Sequence, residues 1–256
     1  MDKRSGKRDQ EIATAVSPEK KETNTNAKSH TNTNTDMLEK GAILQRDGET
    51  YAIAPHLPGG IVDADTLMKI AKVAKKYNAD TLKVTNSHRI AIIGLKKEDV
   101  DGAWADLDMD PGYAIGLCVR SVKFCPGTTY CKRGQQDSVS LGMELDKKYH
   151  GMQLPGKFKI AISGCANRCT DVAHRDVGIM GTPRGFNVYV GGNGGITPRQ
   201  ADLLAEHCTE DEVAQIVDSI IGYYKENARK NDRMGRLIDR VGIDGVKDAV
   251  SQVVPL

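Results

Sequence analysis

The sequence predicts an α+β protein with two folded parts behind a polar tail, and three observations carry that expectation. From residue 37 onward, apolar residues recur by turns at period two and at helical spacing. Four of the six cysteines fall in two close pairs, Cys125-x5-Cys131 and Cys165-x3-Cys169. The first 36 residues, which include ETNTNAKSHTNTNTD, hold hardly any large apolar side chain. Such a segment cannot offset the entropy of ordering, so residues 1–36 are expected to be a disordered tail.

The first folded part is assigned to residues 37–112. Thr50 to Pro58 alternates like a strand, and Asp63 or Asp65 can cap a helix with Leu67, Ile70, Ala71, Ala74 and Tyr77 on one face. Leu82 to Thr85 and Ile90 to Leu95 read as strands joined by the turn-like Asn86-Ser87-His88. Lys97 to Leu107 reads as a second helix through Val100, Ala103 and Trp104, and Tyr113 to Phe124 as a returning strand. Strand, helix, strand, strand, helix, strand is the order of a ferredoxin-like half-domain.

The second part, residues 113–256, is organised around the cysteines. Gln135 to Tyr149 reads as a helix, Lys157 to Ser163 as a strand aimed at Cys165, and Asp176 to Met180 with Phe186 to Val190 as a further pair. GGNGG, Gly191 to Gly195, is either a flexible turn or a set of backbone amides open to an anion. Thr209 to Glu212 is a capping box that opens a helix to about Ala228. Arg233 to Val241 and Asp244 to Val253 read as short packing helices without chemistry.

Composition excludes several classes of function. A net charge of +2 over 256 residues gives no general affinity for nucleic acid. No apolar run approaches the ~20 residues that span a bilayer, and no apolar stretch follows the first lysines, so a cytoplasmic protein without a membrane partner is expected. Cysteines in a reducing compartment read as ligands before disulfides. Structural zinc favours pairs two to four residues apart, so the x5 spacing leans towards an iron-sulfur cluster. Cys118 and Cys208, outside the pairs, read as small buried side chains. Between Cys118 and Arg175 there are ten Lys and Arg against four Asp and Glu, a local excess that thiolates explain only in part. Lys157 and Lys159 flank Phe158, so period-two geometry turns both ammonium groups to one face, where an anion between them would relieve their repulsion.

With these residues in view, the chain resembles the siroheme-containing sulfite and nitrite reductases from about Met37 to its C-terminus. RSVKFCPGTTYCKRGQQDS, GKFKIAISGCANRC and VGGNGG are most similar to segments of the assimilatory nitrite reductases and the small sulfite reductases. The resemblance implies that Cys125, Cys131, Cys165 and Cys169 hold a 4Fe-4S cluster, with Cys169 the thiolate shared with the siroheme iron. It implies that Arg89, Arg120, Lys157 and Lys159 bind the oxyanion and supply protons. Lys123, Lys132, Arg133 and Arg168, with the amides of Gly191, Gly192, Asn193 and Gly194, become candidates for the siroheme carboxylates. His88 stands where the family pattern has a glutamine.

The reading that follows is a siroheme reductase domain in a single copy, reducing sulfite to sulfide. Nitrite reduction at the same site is the alternative, and a non-catalytic four-cysteine module is a third. No nucleotide fingerprint of the form G-x-G-x-x-G follows a strand, so a ferredoxin-like protein is the expected electron donor. Monomer and homo-oligomer are both open.

Overall fold

The structure, a computed structural model, describes residues 34–255. The expected tail therefore lies outside the described residues, except for its last three positions. Two sheets follow, each with its own apolar core.

The first sheet is antiparallel, in the order β1 (Ile43–Leu44), β2 (Tyr51–Ile53), β4 (Ile90–Leu95), β3 (Thr81–Val84). Helices α1 (Ala64–Lys76) and α2 (Val100–Leu107) seal it: Ile70, Val73, Val100 and Leu107 pack with Tyr51, Ile53, Ile92 and Leu95. Asp63 caps α1 by accepting the Thr66 N–H. The buried stripe of α1 is Ile70, Val73 and Ala74 with Tyr77 packed against the core, while Leu67 and Ala71 are exposed, so the helix keeps part of the expected face and is rotated towards Val73. Both stripes satisfy helical spacing, and packing on β4 selects between them. Strand β2 stops at Ile53, well short of Pro58, because Pro55 and Pro58 lack the N–H a ladder needs.

The second sheet runs β5 (Lys123–Phe124), β6 (Ile160–Ser163), β7 (Val177–Thr182), β8 (Gly185–Val190), β9 (Asp202–Cys208). The first two pairings are parallel and the last two antiparallel. Helices α4 (Ser138–Tyr149), α5 (Glu210–Asn227), α6 (Met234–Val241) and α7 (Asp244–Ser251) bury Leu141, Leu145, Ile216, Ile220, Leu237 and Val246 against it. The expected capping box of α5 forms, with Glu212 Oε2 accepting the Thr209 N–H at 2.7 Å.

Residues 113–124 are the main departure. Only Lys123 and Phe124 form a strand, and it belongs to the second sheet. Positive φ at Tyr113 (42°) and Gly116 (94°) breaks the extension. The segment bonds instead to the stretch before β6, Val119 N–H to Met152 O and Arg120 N–H to Phe158 O, each at 2.9 Å. The β6 ladder accordingly begins at Ile160, and Phe158 makes one isolated bridge to Val119. Helix α4 starts at Ser138, where the Asp137 carboxylate accepts the Val139 and Ser140 N–H groups. Strand β9 and the short helix α3 (Gly127–Tyr130) have no counterpart in the sequence reading. DLLAEHC favours helix on propensity, and pairing with β8 overrides it. Among the described residues no helix is long and apolar enough to cross a membrane.

Candidate active site

Parallel pairing of β5 and β6 sets Phe124 beside Ile162, so both strands deliver their cysteines at one end of the sheet. Cys125 donates its backbone N–H to Ile162 O, and the Cys125 Sγ accepts the Gly164 N–H at 3.1 Å. The Gly164 carbonyl in turn accepts the N–H groups of Gln135 and Gln136 at 2.8 and 3.0 Å. A Cβ at Gly164 would lie 2.8 Å from Gln136 O and Gly127 Cα, and one at Gly134 would lie 2.5 Å from the Gly127 carbonyl carbon. The two cysteine loops thus meet backbone to backbone, which only glycine permits. Within the first loop α3 tightens the x5 spacing, with the Cys131 N–H on Gly127 O at 2.9 Å.

All four thiols are free; Cys125, Cys131 and Cys165 are half-buried and Cys169 is exposed. Cys118 and Cys208 are free and buried elsewhere. Among the described residues no three His, Cys, Asp or Glu side chains gather closely enough to hold a single metal ion. Cys125 and Cys169 share the wall of an apolar cavity of about 440 Å³ with Leu57, Val84, Phe124 and Arg89. His88, in a left-handed turn (φ 57°), lines it as well and donates Nδ1–H to Gly59 O at 2.9 Å. Burial, and then Lys123, pushes the His88 imidazole below its ordinary value.

The cations come from several segments. Arg89 donates to the Gly112 carbonyl and to Ser121 Oγ, and Arg120 to the carbonyls of Tyr113 and Gly116. Both guanidinium groups are buried and held by neutral acceptors. Among the described residues neither they nor Lys157 and Lys159 form an ion pair. Arg120, Lys123, Lys159 and Arg175 surround one small recess, and Arg120 also lines a cavity of about 420 Å³ with Lys157, Asn193, Gly194 and Arg233. Burial and crowding together disfavour the charged forms of these groups. Burial, then Arg175 and Lys157, lowers Lys159 to about 8. Burial and then Arg233 lower Lys157, and burial with Arg120 lowers Arg89 to about 10.

Arg175 and Arg233 line these recesses and are not among the residues singled out from the sequence. Arg175 bonds Asp171 at 3.0 Å, yet its Nε is buried with no partner. Arg233, at the start of a helix read as mere packing, pairs with the fully buried Asp176 at 2.6 Å and reaches Asn193 Oδ1 at 2.7 Å. Arg175 was visible only as one count in the basic excess. Arg233 carried no signal, because a contact 57 residues away in sequence is invisible there.

The remaining candidates divide. Lys132 and Arg133 are exposed on the loop after Cys131 and form no ion pair among the described residues. Lys123 is already satisfied by Asn86 Oδ1 at 2.8 Å and Asp171 Oδ2 at 3.0 Å. Arg168 donates to Tyr189 OH at 3.1 Å and lies over that ring. The amides of Gly191 and Asn193 are spent on Asp176 O and Arg199 O, whereas Gly194 stands in open space. Two of the four candidate amides of GGNGG are therefore committed to the fold.

Comparison with known proteins places these features. Residues 115–255 match the family model described as the nitrite and sulphite reductase 4Fe-4S domain, and residues 43–110 the nitrite/sulfite reductase ferredoxin-like half domain. The chain is 41% identical to an assimilatory-type sulfite reductase of Nitratidesulfovibrio vulgaris, over 82% of this chain and 97% of that protein. It is 40% identical to a nitrite reductase [NAD(P)H] of Bacillus subtilis and 37% to the nitrite reductase (NADH) large subunit of Escherichia coli. Those two matches cover 82% of this chain but only 26% and 25% of the relatives. The fold is that of dissimilatory sulfite reductase I, with a TM-score of 0.72 at 16% identity, covering 80% of this chain and 70% of that one. It is likewise that of the Mycobacterium tuberculosis NirA protein, with a TM-score of 0.69 at 21% identity, covering 79% and 40%.

Proposed function

The chain belongs to the nitrite and sulphite reductase family, and from that premise we propose that it reduces sulfite to sulfide with electrons from a separate ferredoxin-like protein. The observation that carries the reading is that Arg120, Lys157 and Lys159, which form no ion pair among the described residues, line two recesses that share Arg120, with the buried Arg175 Nε at the recess of Lys159. Mutual repulsion of that kind is relieved by a small oxyanion.

The family's cofactors are a 4Fe-4S cluster and siroheme, which when bound supply low-potential electrons to the substrate. The donor set fits them: four free thiols at one sheet end, loops that only glycines allow to meet, and an apolar cavity walled by Cys125 and Cys169. Cys125, Cys131, Cys165 and Cys169 would hold the cluster, Cys169 also serving the siroheme. Lys132, Arg133 and Arg168 are the side chains for its carboxylates, while Lys123 braces the wall through Asp171.

The protein's own groups then divide the work. Arg120 and Lys157 neutralise the anion, and carbonyl bonds keep the Arg120 guanidinium oriented. Lys159, lowered to about 8, carries an acidic N–H close to working pH and is suited to hand a proton to an oxygen that leaves as water. Arg89, tied to Gly112 and Ser121, faces the cavity that Cys169 borders.

Sulfite is preferred over nitrite because the likeness spans nearly all of a sulfite reductase and about a quarter of the nitrite reductases. Nitrite reduction is the second reading, favoured by the near-equal identities of 41% and 40%. A non-catalytic four-cysteine module gives the unpaired cations no purpose. The test is an anaerobic visible spectrum of the protein purified with iron, sulfide and siroheme supplied, titrated with sulfite and then nitrite. Bands that shift with sulfite, together with reductant-dependent sulfide release, are expected. Ammonium from nitrite with no sulfide from sulfite would reverse the preference, and a spectrum without tetrapyrrole bands would end the reading.

A further inference from the structure

A buried file of polar groups runs from an outer cavity to Arg89. His56, just after β2, sets Nε2 2.6 Å from Asp146 Oδ2 on α4, and the two side chains are only 12% and 3% exposed. The other Asp146 oxygen accepts the Val122 N–H at 2.8 Å. On its far side His56 Nδ1 lies 3.3 Å from Ser121 Oγ. That oxygen accepts an Arg89 N–H at 3.1 Å and lies 3.3 Å from Gly112 O. His56 and Asp146 border a cavity of about 560 Å³, whereas Ser121 lines the recess of Arg120, Lys159 and Arg175.

Donor and acceptor rules fix the directions. An ionised Asp146 only accepts, so His56 keeps a proton on Nε2 and its Nδ1 accepts when the ring is neutral and donates when it is charged. Ser121 has one hydroxyl proton. Opposite a neutral ring that proton is drawn to Nδ1; opposite an imidazolium, the Nδ1–H bonds the oxygen and the hydroxyl proton turns away from His56. The groups facing His56 are Asp146 and His150 at α4, Asp110 and Tyr113 on the segment before β5, Lys147 across the outer cavity, and Arg89 through Ser121. His150 stacks on it at 3.5 Å with Nε2 buried and unpartnered, and burial followed by His56 pushes His150 down to about 4, so it stays neutral.

We propose that His56, held by Asp146, is a positioning residue that feeds protons to the site through the Ser121 hydroxyl. The inference rests on the reduction proposed above, which consumes protons as each oxygen leaves as water. In one delivery the Ser121 O–H bond breaks and its proton joins the departing oxygen. The Nδ1–H bond of the imidazolium breaks as that proton passes to Ser121 Oγ. Neutral imidazole remains with Nε2–H on Asp146, no electron moves along the file, and the charge returns when a hydronium ion from solvent gives its proton to the bare Nδ1 and is left as water.

The test uses the full chain loaded with its cofactors, turning over whichever of sulfite or nitrite the wild type reduces. H56Q and S121A are each expected to lower kcat about tenfold or more and to change the pH profile. In H56Q the anion's Kd, read from its spectral shift, should stay within about twofold, because every side chain lining the recess is untouched. The double variant should be no slower than either single one, since both cut the same file. S121T, which restores a hydroxyl, should recover most of the rate. An unchanged kcat and pH profile in H56Q overturns the proposal, as does S121T behaving like S121A. Ring-nitrogen NMR of the chain before loading decides independently: a neutral His56 protonated on Nδ1 and bare on Nε2 overturns the file whatever the turnover. A wild type that reduces neither anion fails the reduction itself, an outcome distinct from these.

Discussion

At the cysteine loops, the two cysteine-bearing segments are brought together by backbone packing, with Gly127, Gly134 and Gly164 in contact through their main chains. The cations beside them converge by side-chain reach, from the segments before β4, β5, β6, β7 and α6. The first region is steeply specified, because a single Cβ at Gly164 would part the loops. The second is assembled from distant stretches and held by carbonyls and one buried carboxylate, so its geometry depends on the whole fold. The proposed metal ligation and anion recognition would thus have different tolerances to change.

The sharpest way to break the first region is Cys125→Ala, which should abolish cluster iron, measured as iron and acid-labile sulfide per chain, and with it all turnover. Retention of a full cluster would mean that other ligands hold it. In the second region, Lys159→Met should keep iron content and lower kcat by about 10². The same substitution carries a pH signature. Lys159 in the folded chain titrates near 8 against an ordinary value of 10.5, so between these values the unfolded chain binds more protons and stability rises with pH. Below about pH 8 the charged, crowded ammonium destabilises the unloaded fold. Lys159→Met should therefore raise Tm at pH 7, by about 2–4 °C for each kcal/mol released, and the gap should close towards pH 10.5. A gap that widens with pH would contradict the crowding.

Gly164→Ala sharpens the contrast by forcing the loops apart without removing a ligand. It should destabilise the chain by about 1–3 kcal/mol in denaturant unfolding and slow cluster assembly. The smallest effect is expected at His88→Gln. The ring is neutral at pH 7 and its bond to Gly59 O is one that glutamine can replace, so stability should move by about 0.5 kcal/mol or less. A large loss of turnover there would bring His88 into the chemistry.

Legibility followed the same division. The cysteine spacing, the Asp63 cap and the Thr209 box were readable because each depends on residues a few positions apart. The assignment of Tyr113 to Phe124 to one strand failed because residues 117–120 satisfy their backbone on residues 151–158, a pairing no local pattern announces. Strand β9 was missed for the opposite reason, since local propensity argued for helix and the partner strand prevailed. Within the site, Arg89 and Arg120 came from family likeness, Lys157 and Lys159 from alternation as well. Arg233 and Asp176 required the fold, because their ion pair joins residues far apart in the chain.

Asp176 has a consequence beyond the site. It is a fully buried carboxylate that accepts from Arg233, from the Lys159 N–H at 2.8 Å and from the Met234 N–H at 3.2 Å, in a neighbourhood otherwise dominated by positive charge. Asp176 and Asp171 together do not balance that field, so any anionic occupant of the site stabilises the folded chain by mass action. Newly made chains that acquire their anionic groups late spend longer in the less stable form, where chaperones and proteases act. Cellular abundance of this protein should then follow the supply of what fills the site, with surplus chains cleared by turnover.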